Sequence, residues 1–332
     1  MNDAIDVFPR LKARTVRFTC GAPRSARTIG DGSRALFLRS DGSEDTVTSL
    51  WMSVIDTTGT GDDREVLLAD PRELLADADA ENVPAEERAR RERAREGGSG
   101  IVSYSVDQAG RRVVFTINGQ LFLTEIREDG TGARTRQLAF EDLTLTTGGY
   151  GPVLNPRISP DGRHVMYTTG EHLNLIDIAD WPAPGQAARE SVTTVYGVDD
   201  DAAPTWKIGL AEFVAGEEMD RYDGFWWSPD SRYVLFETFD ASPEPIWHIC
   251  DPANPTMGAA ARRYPQALTS NADVHLTLLE LGFDADGCCY GEVSHAVEWD
   301  RERYEYLASV NWAKGTIRSS RYRTDCSATI RC

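Results

Sequence analysis

The sequence predicts an all-β fold, a β-propeller of four-stranded blades, on three observations. A unit of strand, Asp-Gly-type turn and strand recurs along the chain. Its turns separate runs rich in β-branched and aromatic residues, which is typical of hairpins. The steps from Gly110 to Gly162 and from Gly162 to Ser231 are 52 and 69 residues, a spacing that suits blades with insertions. A generic all-β sandwich is the alternative, but repetition of one pattern favours the propeller.

The elements follow in order. Residues 16–20 predict a lead-in strand, and five copies of the repeated unit come after it, of which the last is the weakest. The copies occupy residues 30–56, 103–123, 156–177, 226–238 and 279–312. We therefore expect about five blades.

Two insertions interrupt the repeats. The first contains residues 83–96, rich in Ala, Glu and Arg, with Pro84 near the start, which predicts an Arg-rich helix. Glu86 and Glu87 each precede an arginine by four residues, so an exposed helix with internal ion pairs is its plain interpretation. The second insertion, residues 178–206, is rich in Ala, Pro and Asp and predicts a loop.

Charge and cysteine content restrict the function. The 332 residues are 41% hydrophobic, which is enough for a sizeable core, and carry a net charge of −18. Such a charge repels nucleic acid and anionic lipid and favours cationic partners. The six cysteines lack Cys-x-x-Cys spacing and are interpreted as mostly reduced thiols. With neither a signal-like N-terminus nor a run of 18 apolar residues, the expected location is cytoplasmic, with no membrane partner.

The histidines lack the spacing of metal ligands, so we expect each to be structural and predict neither a metal nor a cofactor. They are His164, His172, His248, His275 and His295.

Residues 211–230 form the most unusual stretch. A short apolar and acidic segment passes through the adjacent carboxylates Glu217 and Glu218 into an aromatic strand start and a Ser-Pro-Asp turn. We expect the apolar neighbours from Phe213 to Trp227 to bury the flanks and to hold the carboxylates on a fixed framework. Fixed paired carboxylates suit a cation. A solvated helix turn is the ordinary alternative in so acidic a chain.

Residues 211–229 resemble the Glu-Glu helix and following strand of the dipeptidyl peptidase IV family, serine exopeptidases of the prolyl oligopeptidase clan. The resemblance is to the branch of dipeptidyl peptidases 8 and 9 and its bacterial relatives. It implies that Glu217 and Glu218 bind the free α-ammonium of a peptide substrate. An α-amine with a pKa near 8 is largely protonated at neutral pH, and charge-assisted hydrogen bonds are strong. We interpret Glu212 and Asp220 as framework.

The resemblance covers roughly residues 10–312 and implies the first part of an eight-bladed propeller. We place this incomplete N-terminal propeller domain at residues 1–314. Residues 315–332 are rich in Arg, Ser and Thr and depart from the family pattern. We interpret them as an aberrant tail produced by a frameshift, a premature stop or fragmentation, with a purpose-built short paralogue as the alternative.

The family's reaction needs a serine in a Gly-x-Ser-x-Gly elbow, followed by Asp and His. The sequence has no such elbow, and the nearest string, residues 97–100, is interpreted as a flexible join. We therefore expect the α/β-hydrolase domain to be absent, the chain to be inactive alone and to contain no catalytic residue. The missing hydrolase domain would be a partner.

Two functions stay open. The first is the substrate-gating, amine-recognising region of a serine dipeptidyl peptidase that releases X-Pro or X-Ala dipeptides from peptides with a free N-terminus. The second is a non-catalytic propeller that binds peptides or proteins, since one fold hosts many functions. In the resembling branch an Arg-bearing helix closes over the substrate, for which Arg91, Arg93 and Arg95 are equal candidates. Open blade edges also predict a homo-oligomer.

Overall fold

A computed structural model describes residues 3–56, 63–75, 83–138, 152–181, 190–197, 204–254, 256–283, 289–313 and 327–331. In these ranges the chain is mostly β, with four sheets of four or five strands and two of two strands. Its helices are short: α1 (Asp3–Arg14), α2 (Pro71–Leu74), α3 (Ala85–Arg93) and α4 (Phe213–Glu218). None of these described helices is long and apolar enough to span a bilayer.

The strands are grouped by sheet. The first sheet contains β1 (Arg24–Ile29), β2 (Arg34–Arg39), β3 (Val47–Val54), β4 (Arg64–Ala69) and β5 (Ser99–Gly100). The second contains β6 (Ser105–Val106), β7 (Arg112–Ile117), β8 (Gln120–Ile126) and β9 (Ala133–Gln137). The third contains β10 (Leu154–Ile158), β11 (His164–Thr168), β12 (His172–Asp177) and β13 (Ser191–Gly197). The fourth contains β14 (Trp206–Ile208), β15 (Phe225–Trp227), β16 (Tyr233–Asp240), β19 (Asp273–Phe283) and β20 (Cys289–Val297). The two-stranded sheets are β17 (Ile246–Ile249) with β18 (Ala260–Arg263), and β21 (Ser309–Ala313) with β22 (Ser327–Arg331).

In the first three large sheets, strands that follow one another in the chain are neighbours along the main path, and in the fourth sheet that path omits β15, β17 and β18. The orders are β1-β2-β3-β4, β6-β7-β8-β9, β10-β11-β12-β13 and β14-β16-β19-β20. Strand β15 also pairs with β16, and β5 pairs with β3 in parallel. Such four-stranded meanders are consistent with propeller blades, and they agree with the first four predicted repeats.

One turn recurs where the repeat was predicted. In the third sheet, Ser159 Oγ accepts from the His164 N–H at 3.0 Å and donates to Asp161 at 2.5 Å. In the fourth sheet, Ser228 Oγ accepts from the Tyr233 N–H at 2.9 Å. The serine thus closes the turn between two strands in both sheets, which explains why the Ser-Pro-Asp string marks these two repeats.

The second sheet builds the same turn with an aspartate, because Asp107 Oδ1 accepts from the N–H groups of Arg111 and Arg112 at 2.7 and 3.0 Å. In the three turns the left-handed position is Gly110, Gly162 or Ser231, with φ of 67°, 74° and 62°. Glycine is favoured there because a side chain strains a left-handed backbone.

The chain forms two compact units, one of residues 1–167 and 175–192 and the other of 168–174 and 193–332. In the first unit, strand β7 is buried on both faces. Val113 and Phe115 belong to one apolar cluster and Val114 to another. Because side chains alternate along a strand, a strand between two cores is apolar throughout. The second unit has its own core around Leu235 and Leu276.

The predicted lead-in strand at residues 16–20 is wrong. Helix α1 lies before it, and Val16, Arg17 and Phe18 form a turn with positive φ. Thr15 Oγ1 ends the helix by accepting from the Phe18 N–H at 3.0 Å. The helix contains Pro9, which a helix interior disfavours, so the local sequence gives only a weak signal for it.

The predicted fifth blade is also wrong as a separate sheet. Strand β19 pairs with β16 along eight residues, from Asp240 with Asp273 to Tyr233 with Glu280, so the start of the fifth copy belongs to the fourth sheet. Its end contains β21, which lies in the separate two-stranded sheet with β22. The intervening residues include the β17–β18 hairpin. Repeat counting from sequence could not distinguish a long hairpin within one blade from the start of the next.

Two segments predicted to lack structure contain strands. The predicted loop 178–206 includes β13, the last strand of the third sheet, and the join at 97–100 includes β5. Strand β22 lies in the predicted tail and pairs with β21, while residues 314–326 and 332 lie outside the described residues.

Candidate functional site

Helix α4 carries the predicted glutamate pair, and its start is fixed by a neighbouring acid. Glu212 is the N-cap, with its carboxylate accepting from the N–H groups of Val214 and Ala215 at 2.5 and 2.7 Å. Capping satisfies backbone donors that a helix start leaves unpaired. Glu212 is buried, as expected of a framework residue.

The segment that contains α4 is closed at its base. Leu210 and Asp223 form an isolated antiparallel bridge. Gly224 packs directly on the backbone beside this bridge, since a Cβ there would lie 2.3 Å from the Gly209 carbonyl carbon. Only glycine permits such an approach of two backbones. The segment from 210 to 223 is therefore a closed excursion from the fourth sheet.

Beneath this excursion lies a buried ion pair between Arg221 and Glu237. The Arg221 Nη1 contacts Glu237 Oε2 and also donates to the Asp223 carbonyl at 2.8 Å, while its Nε donates to the Leu307 carbonyl at 2.8 Å. The Glu237 side chain is fully buried and that of Arg221 is 7% exposed. Burial raises the pKa of Glu237 to about 7, against the opposing effect of the Arg221 guanidinium.

Both ends of α4 connect to this ion pair. At the start, the Glu212 N–H donates to Glu237 Oε1 at 3.3 Å. At the end, the Arg221 N–H donates to the Ala215 carbonyl at 3.0 Å, so the arginine that pairs with Glu237 also closes the helix. Glu237 itself sits in β16, which is rigidly paired in the fourth sheet.

The glutamate pair occupies the last two positions of the helix, and both side chains are exposed. The last turn of α4 contains no basic residue. Asp220, in a left-handed conformation with φ of 54°, is exposed as well. Two adjacent carboxylates at the negative end of a helix form a site at which a cation is favoured.

The expected burial of the apolar flanks is only partly correct. Of the aromatic residues from Phe213 to Trp227 that we expected to be buried, Phe225 is fully buried and the others are half-buried. Phe213 instead makes an edge contact with Tyr264, whose ring is 5.2 Å away, and Tyr264 contacts Trp247 of the hairpin. Both ends of the helix are held by hydrogen bonds of the polar network.

Sequence reasoning missed Arg221 and Glu237. Their signal was present, because Glu237 follows the apolar run 233–236 and is the one charged residue between Arg232 and Asp240. An acid in a buried strand requires a cation or a hydrogen-bond donor. Arg221 is the one arginine in the stretch already singled out, residues 211–230.

The Arg-rich helix is confirmed at α3, and so is the predicted pair of Glu87 with Arg91, whereas Arg90, expected to pair with Glu86, pairs with Glu87. Glu87 contacts both Arg90 and Arg91, at 2.7 and 2.9 Å. Burial raises the pKa of Glu87, but these two guanidiniums outweigh it, so that its pKa lies below the usual value. Of the three candidate lid arginines, Arg91 is buried against Glu87, Arg93 is half-buried and Arg95 is exposed.

The histidines all lie in strands, and His164 contacts Asp177 at 2.6 Å. Within the described residues, no three His, Cys, Asp or Glu side chains are grouped as metal ligands would be. Cys20, Cys250 and Cys289 form no disulfide with one another, and the remaining cysteines lie outside the described residues.

Comparison with known proteins gives consistent matches. The family described as "Dipeptidyl peptidase IV (DPP IV) N-terminal region" matches residues 97–321, which is most of the chain. Dipeptidyl peptidase 8 of Homo sapiens and that of Mus musculus are each 27% identical over 247 residues, covering 68% of this chain and 26% of the relative. The chain thus spans about a quarter of the length of these relatives. The crystal structure of Porphyromonas gingivalis dipeptidyl peptidase 4 matches with a TM-score of 0.47 and 15% identity, covering 85% of this chain and 34% of that one.

Proposed function

Because this chain belongs to the dipeptidyl peptidase IV N-terminal region family, we propose that it recognises the free N-terminus of peptides through Glu217 and Glu218. It would do so as the substrate-gating region of a serine dipeptidyl peptidase, whose nucleophile, base and oxyanion hole come from a hydrolase domain. Amine binding alone does not lower the barrier to acyl transfer.

The observation that supports this proposal is the placement of the pair. Glu217 and Glu218 are consecutive exposed residues at the end of a helix whose two ends are fixed to a buried ion pair. A ligand held by preorganised groups loses less entropy in ordering them. An α-ammonium relieves the repulsion between the carboxylates and gains charge-assisted hydrogen bonds, whereas an acetylated N-terminus offers no charge.

Calorimetric titration with the tripeptide Ala-Pro-Ala, free and N-acetylated, tests the proposal on the chain itself. We expect the free peptide to bind and the acetylated one to bind at least tenfold more weakly. Replacing either glutamate by Gln removes one charge at nearly constant shape. The expected loss is about 1.5–3 kcal/mol for the free peptide, the strength of a hydrogen bond to a charged group.

Asp220→Asn is the matched control. It removes the same charge two residues from Glu218 at an exposed position, and asparagine tolerates the left-handed conformation. We expect a much smaller loss. Equal affinity for free and acetylated peptide in the unsubstituted chain would rule out amine recognition.

We also propose that the four large sheets are successive blades of a propeller that is incomplete within these residues. Their common strand order and the turn shared by the second, third and fourth sheets support this interpretation.

We also propose that the chain is located in the cytoplasm. Fractionation of cells that express a tagged chain would test this location.

A non-catalytic binding module is the second candidate. It is supported by the β17–β18 hairpin, in which Ile246, Trp247 and Ile249 are each 46–56% exposed. Exposed apolar surface of this kind is typical of protein contacts. Binding of a defined partner protein that is not displaced by peptides with a free N-terminus would favour this alternative.

A further inference from the structure

We propose that Glu237 is the positioning residue of the amine site, and that affinity for a peptide N-terminus depends on whether Glu237 is charged. This inference rests on the proposed function. Glu237 does not contact the peptide in it, but acts through the helix that bears Glu217 and Glu218.

The geometry gives one carboxylate control over both ends of a six-residue helix. Oε1 of Glu237 accepts from the backbone of the N-cap residue Glu212, and Oε2 contacts Arg221, whose N–H caps the Ala215 carbonyl at the other end. A negative charge on Glu237 strengthens both connections, because hydrogen bonds to a charged acceptor are the strong ones. A neutral carboxyl group holds the guanidinium and the N-cap less tightly.

The backbone of Glu237 adds to this control. Its carbonyl accepts from the Gly209 N–H at 2.8 Å, and its N–H donates to the Gly224 carbonyl at 2.7 Å. These two glycines form the base of the excursion that carries α4. The same residue therefore joins the base and both helix ends.

The charged groups of Arg221 and Glu212 face Glu237. The Arg221 charge favours the ionised form of Glu237, and the Glu212 charge opposes it. Burial has the largest effect and raises its pKa to about 7. Glu237 can therefore change charge near neutral pH, where ordinary glutamates remain ionised.

The test compares the dissociation constants of Ala-Pro-Ala for the wild-type chain and for Glu237→Gln between pH 5.5 and 8.5. Titration of the peptide amine is common to both proteins and cancels in the ratio. The ratio of the dissociation constant of Glu237→Gln to that of the wild type should be near one at pH 5.5, where Gln mimics the neutral acid. It should rise to about ten at pH 8.5, a typical coupling between sites. Glu280→Gln, on the neighbouring strand β19, is the control and should give a flat ratio. A flat ratio for Glu237→Gln would mean that the residue is merely structural, and would overturn the inference.

A second measurement uses the wild-type chain alone, in case the variant does not fold. Titration at pH 7 in two buffers of different ionisation enthalpy counts the protons exchanged on binding. Without coupling, the peptide amine takes up about 0.1 proton, given its pKa near 8. A tenfold preference for ionised Glu237 instead gives a net release of about 0.3 proton. Uptake, or no exchange, would contradict the inference.

The two proposals fail differently. Loss of discrimination between free and acetylated peptide removes the proposed function. If discrimination persists but the ratio of dissociation constants for Glu237→Gln and wild type does not change with pH, only the role of Glu237 is removed.

Discussion

At the residue scale, one buried ion pair determines the geometry of the candidate site. Arg221 and Glu237 are almost entirely withdrawn from water, so each requires the other. The exposed pair Arg232 and Glu280, 3.4 Å apart in the same sheet, is largely solvated. The two pairs therefore allow a buried and an exposed Arg–Glu ion pair to be compared in one protein.

Replacing Arg221 by Met should cost about 3–5 kcal/mol in the free energy of unfolding, because it leaves a buried acid without its cation. Arg232→Met, an equivalent truncation at an exposed position, should cost less than about 1 kcal/mol. Urea denaturation followed by tryptophan fluorescence at pH 8 measures both. Similar costs for the two variants would show that the Arg221 pair contributes no more than a surface pair.

The pH dependence of stability follows from Glu237. Its folded-state pKa is about 7, above the ordinary value of 4.5, so between these pH values the folded chain binds more protons than the unfolded chain. The stability contributed by this group is therefore complete below about pH 4.5 and is lost as pH rises through 7. From pH 5 to 8 the unfolding free energy of the wild type should fall by about 2–3 kcal/mol relative to Glu237→Gln. A constant difference between the two proteins across this range would contradict the raised pKa.

At the element scale, the recurring turn defines the repeat. Serine or aspartate closes it in the second, third and fourth sheets, and a left-handed residue follows. In the third sheet this residue, Gly162, is also crowded, because a Cβ would lie 2.9 Å from the Asp107 carboxylate. The requirement for glycine there is thus both conformational and steric.

Gly162→Ala should destabilise the chain by at least about 1–2 kcal/mol, the cost of a left-handed conformation for a residue with a side chain. Gly132→Ala is the control, since its φ is not in the left-handed region and nothing lies within 4 Å of its Cβ position. That variant should be unchanged or slightly stabilised. Thermal unfolding compares them, and an unaffected Gly162→Ala would show that the turn is not strained.

At the scale of the whole molecule, apolar surface and net charge oppose each other. The β17–β18 hairpin exposes apolar side chains on a two-stranded sheet, and such sheets offer unpaired edges to other chains. A net charge of −18 repels a second copy, but salt screens that repulsion. The chain should therefore self-associate through the hairpin, increasingly so as salt is added.

Light scattering should give a mass above the 36.7 kDa monomer in about 0.5 M NaCl, where the Debye length is only a few ångströms. Trp247→Glu should restore the monomer by placing a charge on the hairpin. Leu67→Glu, at an exposed apolar position on β4, should not. A monomer under all conditions would remove the homo-oligomer from consideration.

The sequence by itself determined the repeated units and the Arg-rich helix, whereas the helix bearing Glu217 and Glu218 was implied by the family resemblance. These features depend on local chemistry: turn residues, alternation along a strand and helix-forming composition are all set within about ten residues of chain. The family resemblance was visible in the same way, in one continuous stretch.

Only the tertiary structure decided which strands share a sheet and which residues hold the site. The contact from Glu212 to Glu237 spans 25 residues of chain, and that from Arg221 to Leu307 spans 86. No local pattern encodes such pairings, because a buried charge selects its partner by position in space once the strands have packed. The fifth repeat was misassigned for the same reason, since only hydrogen bonding between β16 and β19 shows that both belong to one sheet.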